Sequence, residues 1–183
     1  MKLIILDRDG VINYDSDQYI RTVEQWVALP GSINAIAELS KAGYKIAIAT
    51  NQSGIGRGYY CVATLTAMHQ KMTTLVTDAG GSIDSIVYCP HVADDNCLCR
   101  KPLPGMISQI LEQFCIADED TNGVWLVGDS LRDIQAAEAM NLRTALVKTG
   151  KGERTLANSA LNKDTVIFKD LAHFAQHLLH SPA

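Results

Sequence analysis

Four short segments carry side chains that could act together on a phosphate ester. They are Asp7-Arg8-Asp9-Gly10-Val11, Thr50-Asn51-Gln52-Ser53-Gly54, Arg100-Lys101-Pro102, and Gly128-Asp129-Ser130 with Asp133 one turn further on. Carboxylates held close together repel one another, so a cluster of three usually carries a cation. Oxygen ligands with room for water suit Mg²⁺, which also tends to bind a substrate phosphate. A carboxylate held in this way can attack phosphorus and form an aspartyl phosphate. A second carboxylate two residues on faces the same way if the backbone leaves strand geometry at Arg8, or if it bends at Gly10. It could protonate the leaving oxygen and then deprotonate the attacking water. Thr50 and Lys101 would hydrogen-bond the phosphoryl oxygens, over which charge spreads in the transition state. Taken singly these residues have ordinary explanations; Asp129 or Ser130 could simply cap a helix. All four segments in this order point to phosphoryl transfer.

A second cluster stands just before Arg100. Cys89, His91, Cys97 and Cys99 offer three thiolates and one imidazole within eleven positions, a recognised tetrahedral zinc set. The spacing is tighter than in a standard finger, so residues 89–99 read as a zinc-binding loop inserted before Arg100-Lys101. Four protein ligands leave no open position, which implies a structural role. Cys99 directly precedes Arg100, so the metal would stiffen the segment that delivers both cations. Cys61 and Cys115 read as ordinary, partly buried cysteines. His69, His173, His177 and His180 read as surface or core residues remote from the motifs.

Short apolar runs that alternate with helical patterns must position these groups. Candidate strands are Leu3–Leu6, Lys45–Ala49, Ser85–Tyr88, Val124–Val127, Thr144–Val147 and Val166–Phe168; candidate helices lie near Ser32–Ala42, Thr64–Ala79, Met106–Phe114, Leu131–Met140 and Leu171–Leu179. Ile107, Ile110, Leu111 and Phe114 share one helical face, as do Leu65, Met68, Met72, Leu75 and Val76, and both stripes read as core. Strand then helix, repeated, predicts an α/β, Rossmann-like three-layer sandwich with a mostly parallel sheet. Ligands of such sheets lie beyond the carboxyl ends of the strands, where the four segments fall.

Bulk properties narrow the function. A chain of 183 residues favours one domain, 1–183. The net charge of -4 weighs against nucleic acid as a partner. The N-terminal apolar run is too short for a signal peptide, and no apolar stretch approaches the ~20 residues that span a bilayer. A cytoplasmic location without membrane attachment is expected. Five cysteines then favour metal binding or burial over disulfides.

Asp7-x-Asp9-Gly10-Val11, Thr50-Asn51, Lys101-Pro102 and Gly128-Asp129-x-x-x-Asp133 resemble the four motifs of the haloacid dehalogenase superfamily of phosphatases, over Leu3 to about Val147. The resemblance implies that Asp7 is the nucleophile and Asp9 the general acid and base, with Thr50 and Lys101 on the phosphate. It implies Mg²⁺ on Asp7, the backbone carbonyl of Asp9, and Asp129, with Asp133 orienting Lys101 or a metal-bound water. Cys89-Pro90-His91, Cys97-Leu98-Cys99-Arg100-Lys101-Pro102 and the run from Thr50 to Gly58 are similar to the heptose 1,7-bisphosphate 7-phosphatase family. Those bacterial enzymes serve ADP-heptose and lipopolysaccharide synthesis, removing the 7-phosphate and leaving the 1-phosphate. Histidinol-phosphate phosphatases carry a similar zinc loop; Ser53 and Gly56-Arg57-Gly58 place this chain on the heptose side.

The 40 residues from 10 to 49 and the 50 from 51 to 100 already hold predicted elements, so no cap domain fits. The site should be open and framed by Asn13–Arg21, Gln52–Tyr60 and the zinc loop. Arg57 and Arg100 are candidates for a second phosphate, because arginine matches phosphate oxygens bidentately. Asp15, Ser16, Asp17 and Tyr19 could meet sugar hydroxyls or form a plain turn. Asn51, Gln52, Ser53 and Ser130 complete the expected substrate contacts. Rival readings are a histidinol-phosphate phosphatase, a polynucleotide 3′-phosphatase, and a zinc-stabilised binding module without catalysis. No motif is legible after about Gly150, and no exposed apolar helix face stands out, which favours a monomer.

Overall fold

The computed structural model describes residues 1–159 and 161–180. Six strands form one sheet in the order β3-β2-β1-β4-β5-β6: β1 Leu3–Leu6, β2 Lys45–Asn51, β3 Ser85–Cys89, β4 Trp125–Gly128, β5 Arg143–Val147 and β6 Val166–Phe168. Every neighbouring pair is parallel. Helices α1 Ser32–Lys41, α2 Val62–Asp78, α3 Gly105–Gln113, α4 Leu131–Glu138, α5 Gly152–Asn158 and α6 Leu171–His180 connect or follow the strands.

Side chains alternate across a strand, and that builds two cores from one apolar run. Ile4 and Leu6 face a cluster with Ile36 of α1, Met68 and Met72 of α2 and Phe174 of α6. Leu3 and Ile5 face a second cluster with Met106, Ile107 and Ile110 of α3 and Ala136 of α4. β1 and β4, buried on both faces, read as unbroken apolar runs, and β6 was expected from its apolar run although it is largely exposed. β1 and β6 have the expected bounds, and the other elements differ from theirs by one or two residues at an end, the usual spread.

Two kinds of element went unforeseen. Helix α5 is seven residues of Gly-Glu-Arg-Thr-Leu-Ala-Asn, too short to show an apolar period. Short 3₁₀ turns occupy Ala93–Asp95 and Asp118–Gly123.

The stretch from Val11 to Pro30 holds no helix. It is pinned by Trp26, which is fully buried. Lys71 of α2 places its ammonium 5.7 Å from the Trp26 ring and donates to the carbonyls of Val23 and Trp26 at 3.0 and 2.7 Å. No cap domain is present between β1 and β2 or between β2 and α3. Among the described residues, no helix is long and apolar enough to cross a membrane.

The sheet's far side depends on α6. Phe174 is wholly buried and meets Trp125 and Phe168 edge-on, with centroids 5.5 and 5.4 Å apart. Phe174→Ala should cost about 3–5 kcal/mol, read as a lower urea midpoint with unchanged slope, while the folded fraction keeps its activity.

Candidate active site

The strand order reverses beside β1, where β2 lies on one side and β4 on the other. A crevice opens at that point, at the carboxyl ends of the strands. Asp7 continues β1 by one residue, its N–H donating to Val127 at 2.9 Å. The chain then turns sharply: the N–H groups of Val11, Ile12 and Asn13 all point at the Arg8 carbonyl, and Gly10 adopts φ 84°. The backbone thus leaves the strand at Arg8 and bends again at Gly10. A Cβ on Gly10 would lie 2.0 Å from Asp129 Oδ2, so glycine is needed there for space as well as for conformation.

Lys101 is 2% exposed and sits at the centre. Its ammonium meets Asp133 Oδ1 at 2.5 Å and Asp7 Oδ1 at 3.1 Å, and donates to the Ala49 carbonyl at 2.7 Å. Three donors meet three acceptors. Asn51 fixes the Lys101 backbone from both sides, accepting its N–H and donating to its carbonyl, each at 3.0 Å. Asp133 Oδ2 accepts from the Ser130 N–H and hydroxyl at 3.0 and 2.6 Å, closing the first turn of α4. Capping and ion pairing are therefore performed by one carboxylate.

Asp9 is held differently. Its oxygens accept from the Arg8 guanidinium, from Asn13 Nδ2 at 2.8 Å and from Gln52 Nε2 at 2.9 Å. Burial works against its charge, but Arg8, Asn13 and Gln52 outweigh burial and hold the carboxyl below the usual carboxylate range. Gln52 also donates to Thr50 Oγ1 at 2.8 Å and accepts from Tyr60 at 2.6 Å.

Asp7 and Asp129 go the other way. Burial, together with Asp133 and Asp9, pushes Asp7 up to about 7 against the pull of Lys101. Burial, then Asp133 and Asp7, pushes Asp129 up to about 8. Burial leads in both, and too little positive charge offsets it: Arg8 is committed to Asp9, and Lys101 is shared. Oxygens of Asp7, Asp129 and Asp133 all lie within 4.8 Å of one another. With Asp133 engaged by Lys101 and Ser130, Asp7 and Asp129 are the carboxylates available to a divalent cation, and the donor set is the hard oxygen type such ions take.

The Cys/His cluster forms a second cage. Cys89, His91, Cys97 and Cys99 place their ligand atoms within 4.8 Å of one another, with sulfur–sulfur distances of 3.1, 3.6 and 3.6 Å. A tetrahedral ion with metal–sulfur bonds of about 2.3 Å sets its sulfurs about 3.7 Å apart. Burial pushes the Cys89 thiol up to about 12, so a metal must displace its proton to bind. Arg100 is drawn against this cage by its bond to the His91 carbonyl at 3.1 Å.

A model of the HAD-hydrolase-like family matches residues 98–174. The chain is 58% identical to a D-glycero-β-D-manno-heptose 1,7-bisphosphate 7-phosphatase of Pseudomonas putida, over 98% of this chain and 100% of that one. It is 55% identical to the Pseudomonas aeruginosa protein of that name, over 97% of each. The crystal structure of D,D-heptose 1,7-bisphosphate phosphatase from B. bronchiseptica, complexed with magnesium and phosphate, superposes with a TM-score of 0.94 at 50% identity, over 98% of each chain. The chain belongs to the heptose 1,7-bisphosphate 7-phosphatase family.

In this member of the heptose phosphatase family, the cavity has a volume of about 210 Å³. Its wall includes Asp7, Asp9, Thr50, Lys101, Asp129 and Asp133, with Asp15, Ser16, Asp17, Tyr19, Asn51, Gln52, Ser53, Arg100 and Ser130 from the expected substrate loops. Arg57 is exposed and stands outside that wall. Cys61 and Cys115 are exposed rather than partly buried. His69 is not remote: it is buried, with Nε2 3.4 Å from the Arg8 guanidinium, and burial followed by Arg8 drives it down to about 4.

Three wall or supporting residues were not foreseen, Arg8, Arg132 and Lys151, while Asn13, Ile20 and Tyr60 were expected only as parts of the framing loops. Lys151 had a legible signal. The rule that functional residues follow each strand applies to β5 as well, and Lys148-Thr149-Gly150-Lys151 follows it directly.

The two raised carboxyls fix a sign. They ionise normally, near 3.8, when unfolded and only near 7 to 8 when folded without a cation. The stability they confer is complete below pH ~4 and is lost as pH rises through ~8. Thermal unfolding of chelator-treated protein should show that fall, and an added divalent cation should raise the midpoint more at pH 8 than at pH 6.

Proposed function

We propose that this protein hydrolyses the 7-phosphate of D-glycero-β-D-manno-heptose 1,7-bisphosphate and releases the 1-phosphate, as a step toward ADP-heptose and lipopolysaccharide. The observation that carries this reading is the Asp7–Lys101–Asp133 contact beside Asp129, in a fold superposable on an enzyme crystallised with magnesium and phosphate. Asp7, the Asp9 carbonyl and Asp129 would hold Mg²⁺, while Cys89, His91, Cys97 and Cys99 would hold a structural Zn²⁺. Bound Mg²⁺ supplies charge neutralisation and polarises a phosphoryl oxygen.

Asp7 receives the Arg8 N–H and Lys101 on Oδ1, which leaves Oδ2 to attack phosphorus. The new Asp7 O–P bond forms as the bond from phosphorus to the sugar oxygen breaks, and Asp9 delivers a proton to that oxygen. Asp9, ionised on its own, takes up that proton from solvent as the substrate binds, because the phosphoryl dianion beside it raises its proton affinity by like-charge repulsion. Asp9 then takes a proton from water, whose oxygen attacks phosphorus and frees Asp7. Thr50 and Lys101 hold the phosphoryl oxygens throughout. Arg100, on the cavity wall, suits the phosphate that is retained, with Arg57 able to approach from its exposed loop. The modest cavity and the net charge of -4 support a small-molecule substrate rather than nucleic acid or a membrane surface. We read the enzyme as cytoplasmic and monomeric.

Asp7→Asn should lower phosphate release at least ~10³-fold, since it removes the nucleophile. The parent should prefer the heptose bisphosphate to histidinol phosphate by ~100-fold or more in kcat/KM; equal constants would sink the substrate assignment.

Removing zinc with a chelator should lower both the unfolding midpoint and the activity, because the cage stiffens the segment that carries Arg100 and Lys101. Metal-free protein with full activity and an unchanged midpoint would exclude that role.

A further inference from the structure

The loop from Asn13 to Arg21 forms one wall of the cavity, yet little of it is fastened by backbone. Tyr14 donates to the Val27 carbonyl at 3.0 Å. Beyond it the bonds turn inward: Tyr19 N–H reaches the Ser16 carbonyl, and Gln18 N–H the Ser16 hydroxyl. Tyr19 holds φ 67°, an uncommon conformation for a residue with a side chain, and packs edge-on against Tyr59.

On the opposite flank the loop is tied by ion pairs to the segment after β5. Lys151 Nζ lies 2.8 Å from Asp15 Oδ2, with the two side chains 28% and 15% exposed. Arg154 lies 3.4 Å from Asp17, but those side chains are 58% and 76% exposed. Pairs so open to water contribute little, so Lys151–Asp15 is the tether that counts.

Lys151 is unusual because its two ends do different things. Its backbone N–H donates to Asp129 Oδ2 at 2.7 Å, while its ammonium holds Asp15. The backbone end is set independently of the side chain, since Thr149 Oγ1 donates to the Gly10 carbonyl at 2.6 Å and Thr155 Oγ1 to the Asp129 carbonyl at 2.9 Å. Gly150 packs so closely on Gly10 that a Cβ there would lie 2.5 Å from the Gly10 Cα.

We propose that Lys151 is a positioning residue for substrate recognition: its ammonium, through Asp15, latches the Asn13–Arg21 loop in its binding position from the segment that also supports Asp129. This rests on the bisphosphate phosphatase reading. It changes the role of Asp15, which acts on substrate through the place it gives the loop, in partnership with Lys151, rather than as an independent acceptor for a sugar hydroxyl. Removing the ammonium frees the loop and leaves the backbone bond to Asp129 intact, so the loss falls on substrate binding.

The test is a double-mutant cycle on the full-length protein with Lys151→Met, Asp15→Ala and the two combined, together with Lys151→Arg. With heptose 1,7-bisphosphate and Mg²⁺, each single change should raise KM ~10-fold and alter kcat by no more than ~2-fold. The double variant should stay near ~10-fold, because both changes break one latch, and Lys151→Arg should restore most of the affinity. Additive losses approaching ~100-fold, or losses confined to kcat, would overturn the latch and assign the two residues separate tasks. Hydrogen exchange of the Asp15–Tyr19 amides gives a readout that needs no substrate. Exchange should quicken ~10-fold in each single variant and no further in the double; unchanged exchange would also overturn it. A parent that releases no phosphate from the bisphosphate, with the exchange pattern as expected, would instead count against the substrate reading alone.

Discussion

One buried ammonium organises the centre of this protein. Lys101 carries a single positive charge among Asp7, Asp133 and the Ala49 carbonyl, with Asp129 close by. Burying a charge is costly unless it is paired and hydrogen-bonded. Lys101 meets that condition with all three of its donors. The carboxylates do not meet it among themselves, and the remaining deficit lifts Asp7 and Asp129 far above their ordinary range. A divalent cation would remove the deficit. Loss of Lys101 would strand Asp133 as an uncompensated charge in the core, and Lys101 is therefore a structural as well as a functional residue.

The topology makes this concentration of charge feasible. Carboxyl ends of β1, β2 and β4 converge where the strand order reverses, and each contributes polar groups only after its last buried apolar residue. The apolar runs beneath stay intact. Two carboxylates two residues apart are then separated electrically: Asp7 is left short of positive charge, while Asp9 is saturated by Arg8, Asn13 and Gln52.

Legibility in the sequence followed the range of the interaction. The six strands and five longer helices were legible because periodicity is local. The four segments and the metal cage were legible because each is a short run of diagnostic residue types. Arg8 was hidden in plain view between two aspartates: a lone arginine there reads as exposed, and only the fold shows it fully buried behind Asp9. Asn51 and Ser53 were expected as substrate contacts. In the structure Asn51 spends its amide on the Lys101 backbone, a pairing across fifty positions that no local pattern announces. Lys151 had a signal in its place just after β5, but its pairing with Asp15 spans most of the chain and α5 is too short to advertise the segment before it. Arg57, expected at a second phosphate from the Gly-Arg-Gly run, stands on an exposed loop outside the cavity wall.

An open site without a cap domain must still hold a small, highly polar substrate long enough to react. Here three loops take on that task, and each is anchored by a different physical device. The loop over residues 89–99 gathers Cys89, His91, Cys97 and Cys99, four side chains able to hold one metal ion. The Gln52–Tyr60 loop is fastened by Tyr60 on Gln52, and hence to Asp9. The Asn13–Arg21 loop has Trp26 clamped on α2 behind it and the Asp15–Lys151 pair in front. A Cys/His cluster able to take a metal, a shared hydrogen-bond chain and a half-buried ion pair differ in strength and in what breaks them, so the three walls need not move together. The Cys/His cluster lies directly before Arg100 and Lys101, and the ion pair holds the Asn13–Arg21 loop.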